Sequence, residues 1–410
     1  MESDLVVKKI LLSMLMSATL LMGCNSSVGK DGVNSAELLQ TDWDELVEMA
    51  EGAEVGMYTW GGDQGVNQYI DDYVVPMLKE NYDITLNRYP MDIQDTLSKL
   101  MTEKQAGRQS GTADIIWING ENFRNAKNNE LLFGSFAQRL PNLQTYIGEE
   151  LPYVHYDMGT EIDGYQAPWG NVQFVLNYNA DIVTEPPQSI ADLIEWVREN
   201  PGKFTYPNVT DFTGNAFVRH FLYNVVEEAQ MLENFNEAWL EENGEEVWET
   251  LRSFKEYLWR KGDTYPETLA QLDQLYAKGE VAFTMGFNEH RTASLIEDGV
   301  FPNTTKTLVL SPGSISNTHY LSIPFNSPEP AAAMVAINFM LSPEAQIKKM
   351  DSAMWGEASV IDPSKLTNEQ RDEVNKVLGH SIVSNDDILA ELDSRYHDWI
   401  LEKWEVEVVQ

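Results

Sequence analysis

Short apolar runs alternate with helix-patterned stretches through the first part of the chain, and this alternation restricts the fold more than any other feature. Val55 to Trp60 is an apolar run closed by Gly61-Gly62, and a helical period follows from Gln64 to Lys79. Ile84 to Arg88 repeats the unit, with a helix from Asp92 to Ala106 behind it. Ala113 to Ile118 begins a third unit, in which Asn119-Gly120-Glu121 opens the next helix. Strands separated by helices of about ten to fifteen residues pair in parallel through crossovers. A nearly all-apolar strand such as Ala113 to Ile118 fits a sheet covered on both faces. The expected class is α/β, a mostly parallel sheet flanked by helices.

The rhythm changes near Pro168-Trp169-Gly170. Val172 to Tyr178 reads as an extended strand carrying Gln173 and Asn177, and a more helical stretch follows: Ser189 to Glu199, Thr213 to Glu228, Glu245 to Lys261 and Pro266 to Lys278. Val281 to Met285, Thr307 to Leu310 and Tyr320 to Ile323 return to strand, and the chain from Pro328 onward reads as almost wholly helical. The chain has 410 residues, enough for two compact domains.

The N-terminal stretch points to a compartment. Lys8 and Lys9 precede an apolar run from Ile10 to Met22, short for a permanent span and suited to a signal-peptide core. The run ends at Leu21-Met22-Gly23-Cys24, which resembles the bacterial lipoprotein box, and Cys24 is the sole cysteine. The expectation is a signal peptide over 1–23, a lipid on Cys24 and a tether over 24–49. With one cysteine no intramolecular disulfide can form. Glu2 and Asp4 stand where a basic region belongs, so Val7 is an alternative start to Met1. The formal net charge of −37 disfavours nucleic acid and anionic lipid as partners. It would steer a cationic ligand, although a solvated acidic surface is the better explanation.

Two segments carry a family resemblance. Gly279-Glu280-Val281-Ala282-Phe283-Thr284-Met285, and Leu321 to Met334 continuing into Ile337-Asn338-Phe339-Met340-Leu341-Ser342-Pro343-Glu344-Ala345-Gln346, resemble elements of the bacterial extracellular solute-binding proteins, family 1. Asn171 to Asp181 is similar to that family's first interlobe crossing. Thr59-Trp60-Gly61-Gly62-Asp63 and Ala113 to Phe123 resemble the narrower YnjB-type branch. The resemblance spans residues 54–350. It implies a two-lobed periplasmic-binding-protein fold of type II, a ligand trapped between the lobes, and delivery to the permease and ATPase subunits of an ABC importer. The lobes are expected at 50–170 with 286–325 returning, and at 175–285 with 326–410. A monomer without cofactor or metal is expected, anchored to the extracytoplasmic face of the membrane by its lipid.

Ligands of open α/β sheets sit beyond the carboxyl ends of strands, where glycines let backbone approach closely. That rule selects Trp60, Gly61, Gly62 and Asp63 after the first strand, and Asn119 and Glu121 after the third. Trp169, Phe287 and Asn288 lie in the corresponding loops further on, with Phe212 and Glu289 nearby. The set offers aromatic faces, carboxylates and amides, suited to a cationic or neutral, partly flat organic solute such as an amine or a thiamine-like compound. Its side chains include no arginine or lysine fork; the nearest arginine is Arg124. Capping of the following helix competes with ligand contact at Asn119. No P-loop, dinucleotide fingerprint, His-Glu-x-x-His or Gly-x-Ser-x-Gly occurs, and the six histidines are scattered, His290 and His319 reading best as structural. A secreted carbohydrate-binding protein or glycan-active enzyme remains the alternative, since paired carboxylates are recognised in space and not in sequence.

Overall fold

The computed structural model describes residues 35–148, 152–226, 234–288, 291–351, 353–378, 388–389 and 391–410. The expected signal peptide, Cys24, Glu289 and His290 lie outside the described residues.

The first three strands form where the apolar runs stand: β1 (Glu54–Thr59), β2 (Thr85–Pro90) and β3 (Ile115–Trp117), in the order β2–β1–β3, all parallel. Two short strands, β4 (Tyr156–Asp157) and β5 (Thr160–Glu161), make a small hairpin. Alternation along β1 and β3 sends Val55, Met57 and Ile115 into one core and Tyr58 and Ile116 into another on the opposite face, so helices cover both sides. Several helices begin at side-chain caps. Asp63 accepts from Gly65 N at 2.8 Å, and Ser189, Asp211 and Ser342 cap the helices Ile190–Glu199, Phe212–Val225 and Pro343–Met350.

Two long strands join the lobes. β6 (Gln166–Asn179) leaves the first lobe, and after β7 (Phe283–Phe287) and β8 (Thr305–Leu308) the chain returns along β9 (Ser314–Ser322). β9 pairs antiparallel with β3 at one end and with β6 along its length, and a short β10 (Ile388–Leu389) lies beside its start. β7 and β8 flank the far half of β6, both antiparallel. The sheet is therefore mixed: β2–β1–β3 and the β9–β10 pair are parallel, and the remaining pairs are antiparallel. An outgoing and a returning strand must run in opposite directions, and apolar patterning carries no information on strand direction.

Separate hydrophobic cores define the lobes. The larger gathers Phe174, Leu176, Phe217, Phe221, Trp248, Phe283 and Trp404, and the first lobe's main core gathers Val55, Met57, Tyr69, Trp169, Leu321 and Ile337. The packing divides the chain differently from the expected lobe boundaries. Residues 331–341, with Trp355 and Val360, pack in the first lobe's core, while Leu392 to Val408 pack in the second. Helix Pro330–Met340 is buried on every side, which only a position inside a core permits, and it covers Leu46 and Ala50 of helix Trp43–Ala50. Phe301, Leu308 and Leu310 stay with the second lobe, so the return crosses at β9 rather than spanning 286–325.

Candidate ligand-binding site

Three contacts bring the carboxyl ends of β1 and β3 against the second lobe or the crossing strands. Asp63, which caps helix Gln64–Gln68, lies 3.9 Å from Nε of Arg291; that arginine donates through Nη2 to Asp273 at 2.6 Å. Arg124, on helix Gly120–Asn128, donates to Ser394 Oγ at 2.6 Å and to Asp398 at 2.5 Å. Asn119 donates from Nδ2 to Asn317 Oδ1 at 3.1 Å and to the Thr318 carbonyl at 3.3 Å, both on β9. Capping therefore is not what occupies the Asn119 side chain. It joins the third strand's loop to the crossing strands.

On the first-lobe side, Trp60 is 50% exposed and stands over Gly62, where a β-carbon would overlap the indole. A β-carbon on Gly61 would come 2.6 Å from Pro90 Cβ. Both glycines thus serve close packing of the loop, and the Trp60 face is what that packing presents. At the end of β3, Trp117 meets the His319 ring at 4.6 Å, and His319 lies parallel to Trp355 at 6.2 Å. Trp169 does not join this surface. Its ring is fully buried between Trp117, Trp355 and Tyr69, with Nε1 unpartnered, because the bulge at Pro168/Gly170 turns it into the core.

His319 is held from below. Its Nδ1 lies 2.9 Å from Glu357 Oε2, whose other oxygen accepts from Lys349 Nζ at 3.2 Å, and Lys349 also donates to the carbonyls of Trp169 and Ala358 at 2.6 and 3.0 Å. Burial alone would raise the Glu357 carboxyl, but its contacts with His319 and Lys349 hold it below the usual carboxylate range. Burial pushes the Lys349 ammonium down against the opposing pull of Glu357. Gly170 makes this pair possible, since any β-carbon there would overlap the Glu357 carboxylate.

The floor between the lobes is a row of amides. Asn171 donates to Thr318 Oγ1 at 3.1 Å, Gln173 donates to Asn171 Oδ1 at 2.9 Å, and Gln173 Oε1 is buried without a partner. The second lobe contributes Phe287, 5.5 Å from Phe174 and 5.3 Å from Phe212. Asn288 follows with φ 74°, in the left-handed region that a sharp departure from β7 requires. Glu121 accepts from Asn122 Nδ2 at 3.0 Å. Of the sequence candidates, Asp63 contacts the second lobe and Asn119 the crossing strand β9, Trp60 is exposed in the loop that Gly61 and Gly62 pack, Phe287 and Asn288 end β7 in the second lobe, and Trp169 lies in the first lobe's core. Trp117, Asn317, Trp355 and Arg291 were not selected from sequence. Trp117 and Asn317 sit inside strands, where nothing local separates a cleft face from a core face.

Two lobes joined by two crossing strands are the architecture of a solute-binding receptor. The chain belongs to the bacterial extracellular solute-binding proteins, whose family pattern matches residues 68–370. It is 34% identical over 367 residues to Protein YnjB of Escherichia coli (strain K12), covering 89% of this chain and 93% of that protein. Solved structures with a similar fold include an ABC transporter from Clostridium perfringens, with TM-score 0.61 and 16% identity over 86% of this chain and 98% of that one. Another is the spermidine/putrescine ABC transporter substrate-binding protein PotD from Streptococcus pneumoniae, with TM-score 0.61 and 16% identity over 85% of this chain and 98% of that one. Among the described residues no helix is long and apolar enough to cross a membrane, and no group of three His, Cys, Asp or Glu residues is placed to hold a metal.

Proposed function

We propose that this solute-binding protein captures a small, partly flat organic solute that is cationic or neutral, an amine or a thiamine-like compound, and delivers it to the permease and ATPase subunits of an ABC importer. The observation that carries the reading is the Asp63–Arg291 contact between the lobes, with the exposed ring of Trp60 three residues before Asp63 on one and the Phe212–Phe287 pair, ending four residues before Arg291, on the other. Such faces hold flat or cationic groups, and the amides of β6 and β9 supply directional hydrogen bonds. The bound solute stabilises the closed form only if it binds that form better than the open one. A lipid on Cys24 would keep the receptor beside its importer. The amide floor also favours a second reading, a neutral sugar stacked on tryptophan. Calorimetry with amines, thiamine-like heterocycles, sugars, organic phosphates and dicarboxylates tests the choice. Tight binding of a phosphate or dicarboxylate, indifferent to Trp60→Ala and Asp63→Asn, would overturn it.

A further inference from the structure

Helix Phe212–Val225 carries an arginine, Arg219, whose side chain has no exposure to solvent. Its Nη1 donates to Glu391 Oε1 at 2.6 Å, and its guanidinium lies 5.2 Å over the Phe212 ring. Nε and Nη2 have no hydrogen-bond partner. Those two atoms form the edge by which other arginines of this chain grip carboxylates. Arg88 holds Asp71 through Nε and Nη2 at 2.8 and 2.6 Å, and Arg395 holds Asp393 in the same way at 2.9 and 2.7 Å. Unsatisfied donors on a buried charge are among the least favourable features a fold can carry, so a vacant fork of this kind calls for an anionic oxygen pair.

The surroundings suit a zwitterion rather than a dianion. Asn215, one turn earlier on the helix and fully buried, leaves Oδ1 without a donor, and Glu391 leaves Oε2 without one. Those acceptors complement an ammonium group and repel a second negative charge. The cluster also lies at the seam of the lobes. Glu391 stands three residues before Ser394, which with Asp398 accepts from Arg124 of the first lobe's helix Gly120–Asn128, and Asn215 donates to the carbonyl of His397 in the same segment. We propose that the Nε–Nη2 edge of Arg219 receives a carboxylate of the transported solute, which is therefore a small zwitterion carrying both a carboxylate and an amino group. The inference deepens, and rests on, the reading of the solute as an amine held against aromatic faces.

Thermal shift of the full chain with probes sharing a phenyl ring tests it: 2-phenylethylamine has the amine only, 3-phenylpropionate the carboxylate only, and phenylalanine both. Phenylalanine is expected to raise Tm most. Arg219→Lys keeps the charge and loses the fork, so it should weaken phenylalanine by about 10-fold or more and leave 2-phenylethylamine unchanged. Glu391→Gln leaves the Arg219 charge uncompensated and should tighten 3-phenylpropionate, which keeps the test open if Arg219→Lys does not fold. Equal shifts with 2-phenylethylamine and phenylalanine, both indifferent to Arg219→Lys, overturn the proposal while the amine reading stands. A shift with 3-phenylpropionate alone, lost in Arg219→Lys, supports the Arg219 assignment and removes the amine reading. No shift with either carboxylate, or no tightening in Glu391→Gln, overturns the proposal.

Discussion

The Asp63 carboxylate lies 3.9 Å from the Arg291 guanidinium, and the two residues belong to different lobes, each side chain 25% exposed. Partly exposed pairs of this kind contribute about 0–1 kcal/mol and weaken with salt. Asp63→Asn retains an oxygen to cap helix Gln64–Gln68 but removes the attraction across the seam. Small-angle scattering of the ligand-free protein at low salt is expected to show a larger radius of gyration for the variant, and high salt should bring the wild type toward it. Identical curves for both proteins at both salts would remove the contact as a closure element.

Trp60 is half exposed and supports little of the core, so Trp60→Ala should leave Tm almost unchanged. An aromatic face on a flat or cationic solute contributes about 1–2 kcal/mol, which corresponds to roughly 5- to 30-fold in Kd. Calorimetry with the solute found by screening reads this directly, and unchanged affinity would take Trp60 out of the site.

Gly170→Ala should be among the most damaging single substitutions in the chain. The added methyl group overlaps the Glu357 carboxylate and comes 2.8 Å from Lys349 Nζ, so the buried pair must separate. Breaking such a pair costs about 3–5 kcal/mol. Urea denaturation measures it, and a loss below about 1 kcal/mol would mean that the loop carrying Glu357 moves aside freely.

Asp157 links stability to pH. Burial pushes its carboxyl up to about 7 against the opposing hydrogen bonds from Gln166 and Gly120, with Glu121 and Glu391 adding to the rise. A carboxyl raised in the folded state binds its proton more tightly there than in the unfolded chain. The resulting stability is fully present below the unfolded pKa of about 4 and is lost as pH rises through about 7, by at most about 4 kcal/mol. His220 pulls the other way: burial lowers it to about 4, so falling pH charges the unfolded chain first. Asp157→Asn keeps an acceptor for both donors and removes only the Asp157 contribution. The variant should equal the wild type near pH 4 and exceed it at pH 8, as read from urea melts; parallel pH curves would refute the assignment.

Cys24→Ser should abolish incorporation of radioactive fatty acid in cells that label the wild type. Equal labelling of the two proteins would rule out acylation at this thiol.

Strand and helix positions in the first lobe were legible where a strand is a short apolar run, as β1 and β3 are, and where a helix opens on a capping side chain, as at Asp63. The candidate site was legible where it lies in loops that follow strands, hence Trp60, Asp63 and Asn119. Trp169 reads like Trp60 in sequence, aromatic and beside glycine, yet a bulge turns one into the core and a glycine beneath the other leaves it facing water. Arg219 is hidden for the same reason: its neighbours in sequence form an apolar helix, and its partner Glu391 lies 172 residues away. The sequence by itself determined the α/β class, the family and the strand-to-helix rhythm, because periodicity and capping act over a few residues. Strand direction beyond β3, the split of the C-terminal segment between two cores, and the pairing of charges across the seam were decided only by the tertiary structure. Those depend on free energies of burial and charge pairing between residues far apart in the chain, which exist only once the chain has closed on itself.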